Sequence, residues 1–318
     1  MTTLKSFPLF PKFRKMELSD RKAYEEFYSL MAPYADYSFN NLMIWLDLND
    51  DLFVSRYDRN LVFRFTDVLD QNKMSYAIIG LRNYKKAIAK LFEYQKVVKI
   101  EQIITMVPEF YADALNDSNK QLIITEDKDN KEYIFDTSKS YILSGKESEN
   151  LRYKINYFIK HYGDDVLVKE INLNDDKDRN ILINAMHKWG SHRSIQDSNT
   201  KLGVEGLAID KYLRIYEHLS SRCLAIFLSN EVIGFSIFHL PPHKNYAIGE
   251  HIKCDYKYRY IFDFIYYCTI TRLHSNGIRY INGEQDLGIP GIRKHKQEMK
   301  PIGYFKKYNI SPKYSLPN

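Results

Sequence analysis

The order in which apolar patterns follow one another along the chain restricts its fold more than any other feature. Each half begins with segments of helical period, continues with β-rich runs typical of an antiparallel hairpin, and ends with a strand, a helix and a strand. In the first half the β-rich runs are residues 52–57, 61–65 and 74–79, and the helix after them has Tyr84 and Ile88 on one side. Because no residue-level repeat is visible, the halves match only in the order of their elements.

The second half follows a polar segment, residues 144–150 (SGKESEN), which we interpret as a boundary or hinge. The pattern predicts an α+β protein with two lobes, residues 1–143 and 144–318, each with a mixed, mostly antiparallel sheet flanked by helices. In the second lobe, the hairpin is predicted at residues 224–228 and 232–238. A strand at 247–252, a long helix at 258–274 and a last strand at 278–281 follow it.

Composition places the chain among globular proteins. It has 44% hydrophobic residues, 13 glycines and 10 prolines, which is ordinary for a folded protein. No apolar run approaches the roughly 18 residues that a membrane helix needs, and the first residues lack the apolar core of a secretory signal. We therefore expect a soluble, cytoplasmic protein. Cys223, Cys254 and Cys268 have no metal-binding spacing, and their odd number is typical of buried thiols in a reducing compartment.

The formal net charge of +6 allows two interpretations. It would favour an anionic partner such as RNA, a phosphate-bearing cofactor or a lipid head group. It could equally reflect background residue usage, because the chain is rich in Lys, Ile, Asn and Tyr throughout. Residues 256–267 (YKYRYIFDFIYY) suit either a nucleic-acid platform or a helix packed on a core. Packing is the favoured interpretation, and Arg259 is left as a candidate phosphate contact.

Two places in the second half stand out chemically. Residues 281–301 (INGEQDLGIPGIRKHKQEMKP) crowd acidic, amide and basic side chains around two glycines, which is typical of a solvated loop or of a pocket for a charged substrate. Gly249 lies inside the strand pattern YAIGEHIK, where a glycine often marks a β-bulge and an opened strand edge that could pair with a ligand. The amides of the following helix start could hold a phosphate or an oxyanion. Alternatively, Gly249 makes room for a neighbouring aromatic ring.

These features resemble the GNAT acyltransferase fold, and within it the soluble relatives of the phosphatidylglycerol lysyltransferase C-terminal domain, a DUF2156-type family. The resemblance covers nearly the whole chain, and rests on SFNNLMIW at 38–45, on SGK with Arg152 and Asn156 after it, and above all on NGEQDLGIPGIRKHK at 282–296. It implies two fused GNAT-like lobes, the second with the active site, and transfer of an aminoacyl or acyl group. The lysyltransferases use aminoacyl-tRNA, so aminoacyl-tRNA or acyl-CoA is the expected co-substrate, without a tightly bound cofactor.

The resemblance also selects site residues. Glu284 and Asp286 are the catalytic candidates, because acyl transfer to an amine or hydroxyl needs a group that takes the proton of the nucleophile. Either carboxylate could instead bind an ammonium group. In the structural alternative, Asp286 caps the turn before Gly288 while Glu284 pairs with Arg293. The substrate-binding candidates from the resemblance are Asn282, Arg293, Lys296, Arg152 and Asn156, and the residue patterns described above add Gly249 and Arg259.

The chain departs from the family pattern at two places. GNAT enzymes that bind acetyl-CoA carry a pyrophosphate loop of the form Q/R-x-x-G-x-G/A, whereas the helix start here reads RYIFDF at 259–264 without a glycine. This argues against ordinary acetyl-CoA binding. Residues 147–151 (ESENL) include two glutamates where relatives tend to be basic, which argues against binding of phosphate or tRNA by that segment.

The leading interpretation is a transferase that moves an aminoacyl or acyl group to an amine or hydroxyl, with lipid head groups among the acceptors. No covalent enzyme intermediate is expected. Two alternatives stay open: a non-catalytic binding module for an anionic or zwitterionic metabolite, and an RNA-binding protein that uses its basic surface. The absence of H-E-x-x-H, G-x-S-x-G, P-loop and dinucleotide fingerprints argues against the enzyme classes that they mark.

Overall fold

The computed structural model of the chain describes residues 3–67, 72–116, 121–143, 145–190 and 201–313. These residues form two compact units, and the chain passes between them more than once. The first unit contains the described parts of Met1–Glu132, Gln285–Pro290 and Tyr304–Asn318, and the second contains those of Tyr133–Glu284 and Gly291–Gly303. The main stretch of the first unit therefore ends earlier than the predicted boundary at 143/144, and residue 144 lies outside the described residues.

The sheet of the first unit has seven strands. These are β1 (Arg14–Lys15), β2 (Phe53–Tyr57), β3 (Asn60–Thr66), β4 (Met74–Gly80), β5 (Ile104–Pro108), β6 (Leu122–Glu126) and β14 (Lys307–Pro312). Their order across the sheet is β1, β2, β3, β4, β5, β14, β6, and β4–β5 is the parallel pair within an otherwise antiparallel set. The helices of this unit are α1 (Arg21–Tyr28), α2 (Phe39–Asn41), α3 (Tyr84–Val97) and α4 (Glu109–Asn116).

Helix α3 is the crossover that a parallel strand pair requires. Its apolar residues recur at spacings of three and four, so Tyr84, Ile88, Leu91 and Phe92 are buried on one side. The motif SFNNLMIW forms α2 and then a π-type turn over Leu42–Leu46, and all but one of its residues are buried.

A buried ionic group ties the last strand of the first unit to its core. Lys307 on β14 is fully buried, and its ammonium contacts the carboxylate of Asp36 and lies 3.2 Å from Glu132 Oε1. The backbone amide of Ala35 donates to Glu132 Oε2 at 2.8 Å. Burial by itself lowers the pKa of Lys307, but the charges of Asp36 and Glu132 outweigh it and hold the pKa above its ordinary value.

The strands of the second unit belong to another seven-stranded sheet. Its strands are β7 (Glu132–Asp136), β8 (Val166–Ile171), β9 (Ser221–Leu228), β10 (Glu231–His239), β11 (Tyr246–Cys254), β12 (Tyr280–Asn282) and β13 (Gly303–Phe305). The order across the sheet is β13, β7, β12, β11, β10, β9, β8, with β11 parallel to β12. Its helices are α5 (Thr137–Ile142), α6 (Glu149–Tyr162), α7 (Asp176–Gly190), α8 (Lys201–Ile215), α9 (Ile261–Ser275) and α10 (Pro290–Glu298).

Helix α9 packs directly on the sheet of the second unit. Phe264 and Ile265 of α9 belong to one core cluster with Phe158 of α6 and Ile226 of β9. Gly234 of β10 makes this approach possible, because a Cβ there would lie 2.3 Å from Ile265 Cδ1. The glycine therefore fixes how closely α9 approaches β10.

The structure confirms the predicted fold class, an α+β protein with two mixed sheets flanked by helices. The predicted hairpin corresponds to β9 and β10, and the long helix begins three residues later than predicted, at Ile261. Cys223 and Cys254 are buried and Cys268 is half-buried, all as free thiols, and burial raises the pKa of Cys268 to about 12. Among the described helices, none is both long enough and apolar enough to cross a membrane.

Candidate functional site

The parallel ladder between β11 and β12 ends at the third residue of β11. The two strands pair from Tyr246–Tyr280 to Ile248–Asn282. Strand β11 continues to Cys254, but within the described residues its ladder with β12 has no further pair. Strand β12 ends at Asn282, so its ladder with β11 covers only the first part of that strand. Extended ligands bind to strand edges as added strands.

A β-bulge follows the last residue pair of this ladder. Across β10, Phe238 faces Gly249 and Ile237 faces His251, so Glu250 is the extra residue. Bulges of this kind bend a strand and re-aim a side chain. The bulge that Gly249 predicted is therefore present, one residue further along the chain.

Gly249 itself is not needed for a close approach. A Cβ there would lie 3.6 Å from Ile281 Cδ1 and 3.8 Å from the carbonyl oxygen of Asn282, which are ordinary contacts, and no aromatic ring is among these nearest atoms. Gly249 and Asn282, two of the predicted site residues, are thus neighbours on adjacent strands.

Glu250 places a carboxylate inside the second unit. Its side chain is 1% exposed, its Oε1 lies 2.9 Å from His239 Nδ1, and the Ser221 hydroxyl donates to its Oε2 at 2.9 Å. Burial, together with the charge of Glu250, raises the pKa of Tyr212 on α8, so this phenol stays protonated near neutral pH. Carboxylate, imidazole and hydroxyl groups in one buried cluster can hold or move a proton.

Glu250, His239, Ser221 and Tyr212 were not predicted as site residues from the sequence. The available signal was an acidic residue directly after a glycine within an apolar strand. A bulge makes such a residue point inward, and the register of β10 against β11 was needed to see it.

The chain turns sharply after β12. Asn282 is fully buried, and its Oδ1 accepts a hydrogen bond from the amide of Glu284 at 2.9 Å. Glu284 has a φ of +58°, and its carbonyl accepts from the amide of Tyr133 at 3.1 Å, while Gly283 donates to the carbonyl of Tyr133 at 2.8 Å. A non-glycine residue held in the left-handed region by surrounding hydrogen bonds is common at functional sites. The half-buried Glu284 is therefore fixed at the end of β12.

Asp286 has a different environment from Glu284. It belongs to the first unit and is fully buried, and its Oδ1 accepts from the amide of Gly288 at 2.8 Å. Gly288 has a φ of +71°, and a Cβ there would come within 2.8 Å of the Asp129 carboxylate. The turn-capping role that the sequence analysis gave as an alternative is thus present, and a catalytic role of Asp286 stays a prediction.

Lys296 of α10 reinforces the turn after β12. Its ammonium donates to the carbonyl of Gly283 at 2.6 Å and lies over the ring of Tyr133 at 5.6 Å from the centroid. Arg293 is half-buried on the same helix. The structure thus brings Gly249, Asn282, Glu284 and Lys296 to one region of the second unit.

Three predicted site residues lie elsewhere in this unit. Arg152 of α6 donates to the carbonyls of Leu143 and Gly145, and so holds the segment before its own helix. Asn156 is exposed on α6. Arg259 is exposed, and its guanidinium lies 5.1 Å from the ring centroid of Tyr157 on α6.

The aromatic segment that contains Arg259 divides at the start of α9. Phe264 and Tyr266 are buried, as the packing interpretation predicted, whereas Tyr256 is exposed. The segment thus combines core packing in its second part with exposed aromatic and basic side chains before the helix.

A second polar group surrounds the start of α9. Lys154 of α6 lies 2.9 Å from Asp263 and 3.6 Å from Glu298 of α10. His295 packs edge-on against Phe262, with 4.6 Å between ring centroids, and burial lowers the pKa of this imidazole. Sequence reasoning missed these residues, because ordinary charged and aromatic side chains on three separate helices carry no local signature. The described residues contain no group of three or more His, Cys, Asp or Glu that could hold a metal ion.

Comparison with known proteins defines the class. The chain superimposes on a tandem GNAT protein from the clavulanic acid biosynthesis pathway with a TM-score of 0.50 and 7% identity, over 96% of this chain and 99% of that one. It matches the structure of L-PGS from Bacillus licheniformis with a TM-score of 0.64 and 14% identity, over 93% of each chain. These likenesses establish a tandem GNAT-like fold.

The family profile described as "Phosphatidylglycerol lysyltransferase, C-terminal" matches residues 28–311. The chain therefore belongs to this family. A conserved protein of unknown function from Bacteroides thetaiotaomicron shares 25% identity and a TM-score of 0.82, over 94% of this chain and 99% of that one. An uncharacterised protein from Mycoplasmoides gallisepticum is 26% identical over 180 residues, 56% of this chain, and the match spans only about half, 55%, of that relative's length.

Proposed function

We propose that the protein is a transferase that moves an aminoacyl or acyl group from an activated donor to an amine or hydroxyl acceptor. Membership of the lysyltransferase C-terminal family supports the reaction class. The observation that carries the proposal is the edge of β11 just beyond its ladder with β12, which lies beside the bulge at Glu250 and next to Asn282 at the end of β12. An extended aminoacyl or acyl chain can pair with such an edge, which positions its carbonyl carbon for attack.

In this proposal the acceptor attacks the carbonyl carbon of the donor directly. A new C–N or C–O bond forms, the bond from the carbonyl carbon to the donor oxygen or sulfur breaks, and no enzyme-bound intermediate occurs. The proton of the nucleophile passes to a carboxylate, and a proton returns to the leaving group. We assign the carboxylate role to Glu284, which is half-buried at the end of β12, and give Glu250 with His239 and Ser221 the task of orienting the reacting groups.

The remaining predicted residues receive supporting roles. Lys296 and Asn282 hold the turn that carries Glu284, and Asp286 caps the turn that follows it. Arg259, exposed before the start of α9, is proposed to contact a donor phosphate, with Arg293 as a second candidate. The proposed donors are aminoacyl-tRNA and acyl-CoA, and the lack of a glycine-rich loop at residues 259–264 favours aminoacyl-tRNA.

The test is a donor and acceptor panel with the pure protein. Charged tRNAs and acyl-CoAs are incubated with amines, amino acids and lipid head groups, and loss of the donor bond is followed by release of free tRNA or thiol. We expect donor consumption that depends on one acceptor class and is lost in Glu284→Gln. Binding of a donor or of a small anionic ligand without consumption would instead identify a non-catalytic binding module.

A further inference from the structure

One face of α3 in the first unit is both basic and exposed. Lys85, Lys86, Lys90 and Lys96 are exposed and form a broad basic stripe on the side of α3 away from its buried residues. Val97 ends this stripe and is 78% exposed. We call the exposed side chains of residues 85–97 the α3 face.

The charge of the chain is concentrated here. Residues 82–99 contain six basic side chains and one acidic side chain, compared with a formal net charge of +6 for the whole chain. Lys90 pairs with Glu93 at 2.6 Å. In the part of the chain that the structure describes, Lys85, Lys86 and Lys96 have no ion pair.

The position of these lysines is not explained by helix stability. Lys85 and Lys86 lie in the first turn of α3, which contains no acidic residue. The positive end of the helix dipole disfavours cations at that position. Like charges close together on one face also repel one another, so the stripe costs stability unless an anionic partner covers it.

Apolar side chains lie at both ends of the α3 face. At its amino end, a cleft of about 410 Å³ is lined by Lys85 and Lys86 together with Leu81 and Phe110. Phe110 is 77% exposed and Leu81 41%. At the carboxyl end Val98 is 42% exposed beside Val97. Exposed aliphatic side chains gain nothing from a phosphate backbone, but they lose contact with water when they enter a lipid interface.

We propose that the α3 face docks the first unit on an anionic phospholipid bilayer. The lysines contact lipid phosphate and carboxylate groups, and Leu81, Phe110 and Val97 enter the interface between head groups and acyl chains. The proposal does not depend on the proposed transferase activity, because docking requires no reaction. Docking involves an exposed surface and not a substrate pocket, so it requires anionic lipids but no particular head group.

The test is sedimentation of the full chain with phosphatidylcholine vesicles that contain roughly a third phosphatidylserine, compared with phosphatidylcholine alone. Phosphatidylserine is chosen because it is not the lipid in the family name, so active-site binding of an acceptor does not produce the signal. We expect binding to the anionic vesicles only, weakened by added salt. The triple change Lys85→Glu, Lys86→Glu and Lys96→Glu should weaken it roughly a hundredfold.

Matched controls separate docking from net charge and from misfolding. Lys5→Glu, Lys22→Glu and Lys160→Glu change the net charge equally at exposed lysines elsewhere and should lose far less binding. Replacement of the three α3 lysines by Gln, with unchanged thermal unfolding, should give an intermediate loss of vesicle affinity. Phe110→Ser should weaken the part of vesicle binding that persists at high salt. The proposal is overturned if the wild type does not bind anionic vesicles. It is overturned too if the triple Glu variant of α3 and the control variant at Lys5, Lys22 and Lys160 lose binding equally. It is also overturned if the α3 variants lose affinity for tRNA while vesicle binding is unchanged.

Discussion

The two strand–helix–strand segments of the molecule have the same order of elements but differ in regularity. In the first unit β4 leads through α3 to the parallel β5, and in the second β11 leads through α9 to the parallel β12. Each helix follows a residue in the left-handed region, Asn83 at a φ of +54° and Tyr260 at +65°. The β3–β4 ladder has no register shift, whereas the β10–β11 ladder shifts at Glu250.

A single extra residue accounts for the chemical difference between these segments. In β4 the regular ladder leaves apolar side chains on both faces buried, such as Ala77 and Ile78. In β11 the bulge turns the carboxylate of Glu250 into the interior, beside His239 and Ser221. The same strand–helix–strand arrangement thus forms a regular apolar core in the first unit and a candidate reaction site in the second.

The helix starts differ in the same way. Helix α3 begins with Lys85 and Lys86 on the surface, whereas the first turn of α9 carries the buried Asp263, which is paired with Lys154. An acidic residue in the first turn agrees with the helix dipole, and a lysine pair opposes it. The comparison separates an internal polar site in the second unit from an external basic face in the first.

The largest expected effect is on turnover, and it tests whether the chemistry resides in the second unit. Glu284→Gln should lower the transfer rate by about 10²–10⁴-fold, because an amide cannot take a proton from the nucleophile. The free energy of unfolding should change by less than about 0.5 kcal/mol, measured by thermal denaturation. The control is Glu101→Gln, an exposed glutamate of the first unit, which should leave the rate unchanged. Equal rates in the two variants would remove Glu284 from the mechanism.

The next effect is on stability and concerns the first unit. Lys307→Met should lower the free energy of unfolding by about 3–5 kcal/mol, because Asp36 and Glu132 are left buried without their cation. Urea denaturation measures the loss. Lys306→Met is the matched control, since its solvent-exposed pair with Glu109 should contribute far less than the buried group.

The pH dependence of the Lys307 contribution follows from its raised pKa. The stabilisation is complete below the unfolded value of 10.5 and is lost as the pH rises through the higher folded value. A difference in stability between wild type and Lys307→Met that stays constant across this alkaline range would contradict the assignment.

A smaller loss of stability is expected when Glu250, the bulge residue, is replaced by a side chain of the same shape. Glu250→Gln should cost about 1–3 kcal/mol of unfolding free energy, because the contacts of the carboxylate with His239 and Ser221 are weakened. Turnover should fall under conditions where the variant remains folded. The counterpart in the regular strand, Ile78→Val, should cost a similar 0.5–1.5 kcal/mol, as roughly expected for a lost methyl group, without a change in rate. Equal rates in the two variants would show that the bulge is only structural.

The smallest effect concerns an ion pair of the second unit that is partly exposed. Hydrogen bonds from Arg222 and Arg272 hold the pKa of Glu170 below its ordinary value, although burial opposes this. A lowered carboxyl pKa stabilises the fold above the unfolded value of about 4.5, and the stabilisation is lost as the pH falls. Screening by solvent limits it to less than about 1 kcal/mol. Glu170→Gln should remove this part of the fall in stability at low pH, as measured by urea denaturation at several pH values. If stability falls with decreasing pH as in the wild type, the assignment is wrong.

Much of the fold could be predicted because apolar periods report local structure directly. The spacing of Tyr84, Ile88 and Leu91 defines α3, and the interrupted runs at residues 224–228 and 232–238 define the hairpin of β9 and β10. The boundary between the units was less accessible. The chain returns to the first unit at residues 285–290 and again after residue 303, and no local composition records which sheet a late segment joins.

The candidate site was only partly accessible for the same reason. The motif at residues 282–296 is contiguous, so its residues could be selected from the sequence. His239 and Ser221 are remote from Glu250 in sequence and meet it only through the register of three strands. Asp286 and Glu284, only two residues apart, have different environments because the chain changes unit between them.

The sequence by itself determined the class of fold, the order of elements in the two halves, the family and the position of the polar motif. These depend on periodicity and on contiguous residues, which act over short stretches of chain. Tertiary structure alone decided which carboxylates are buried, where the ladder between β11 and β12 ends, and which lysines remain exposed on α3. Those properties depend on register and packing between remote segments, which a local pattern does not encode.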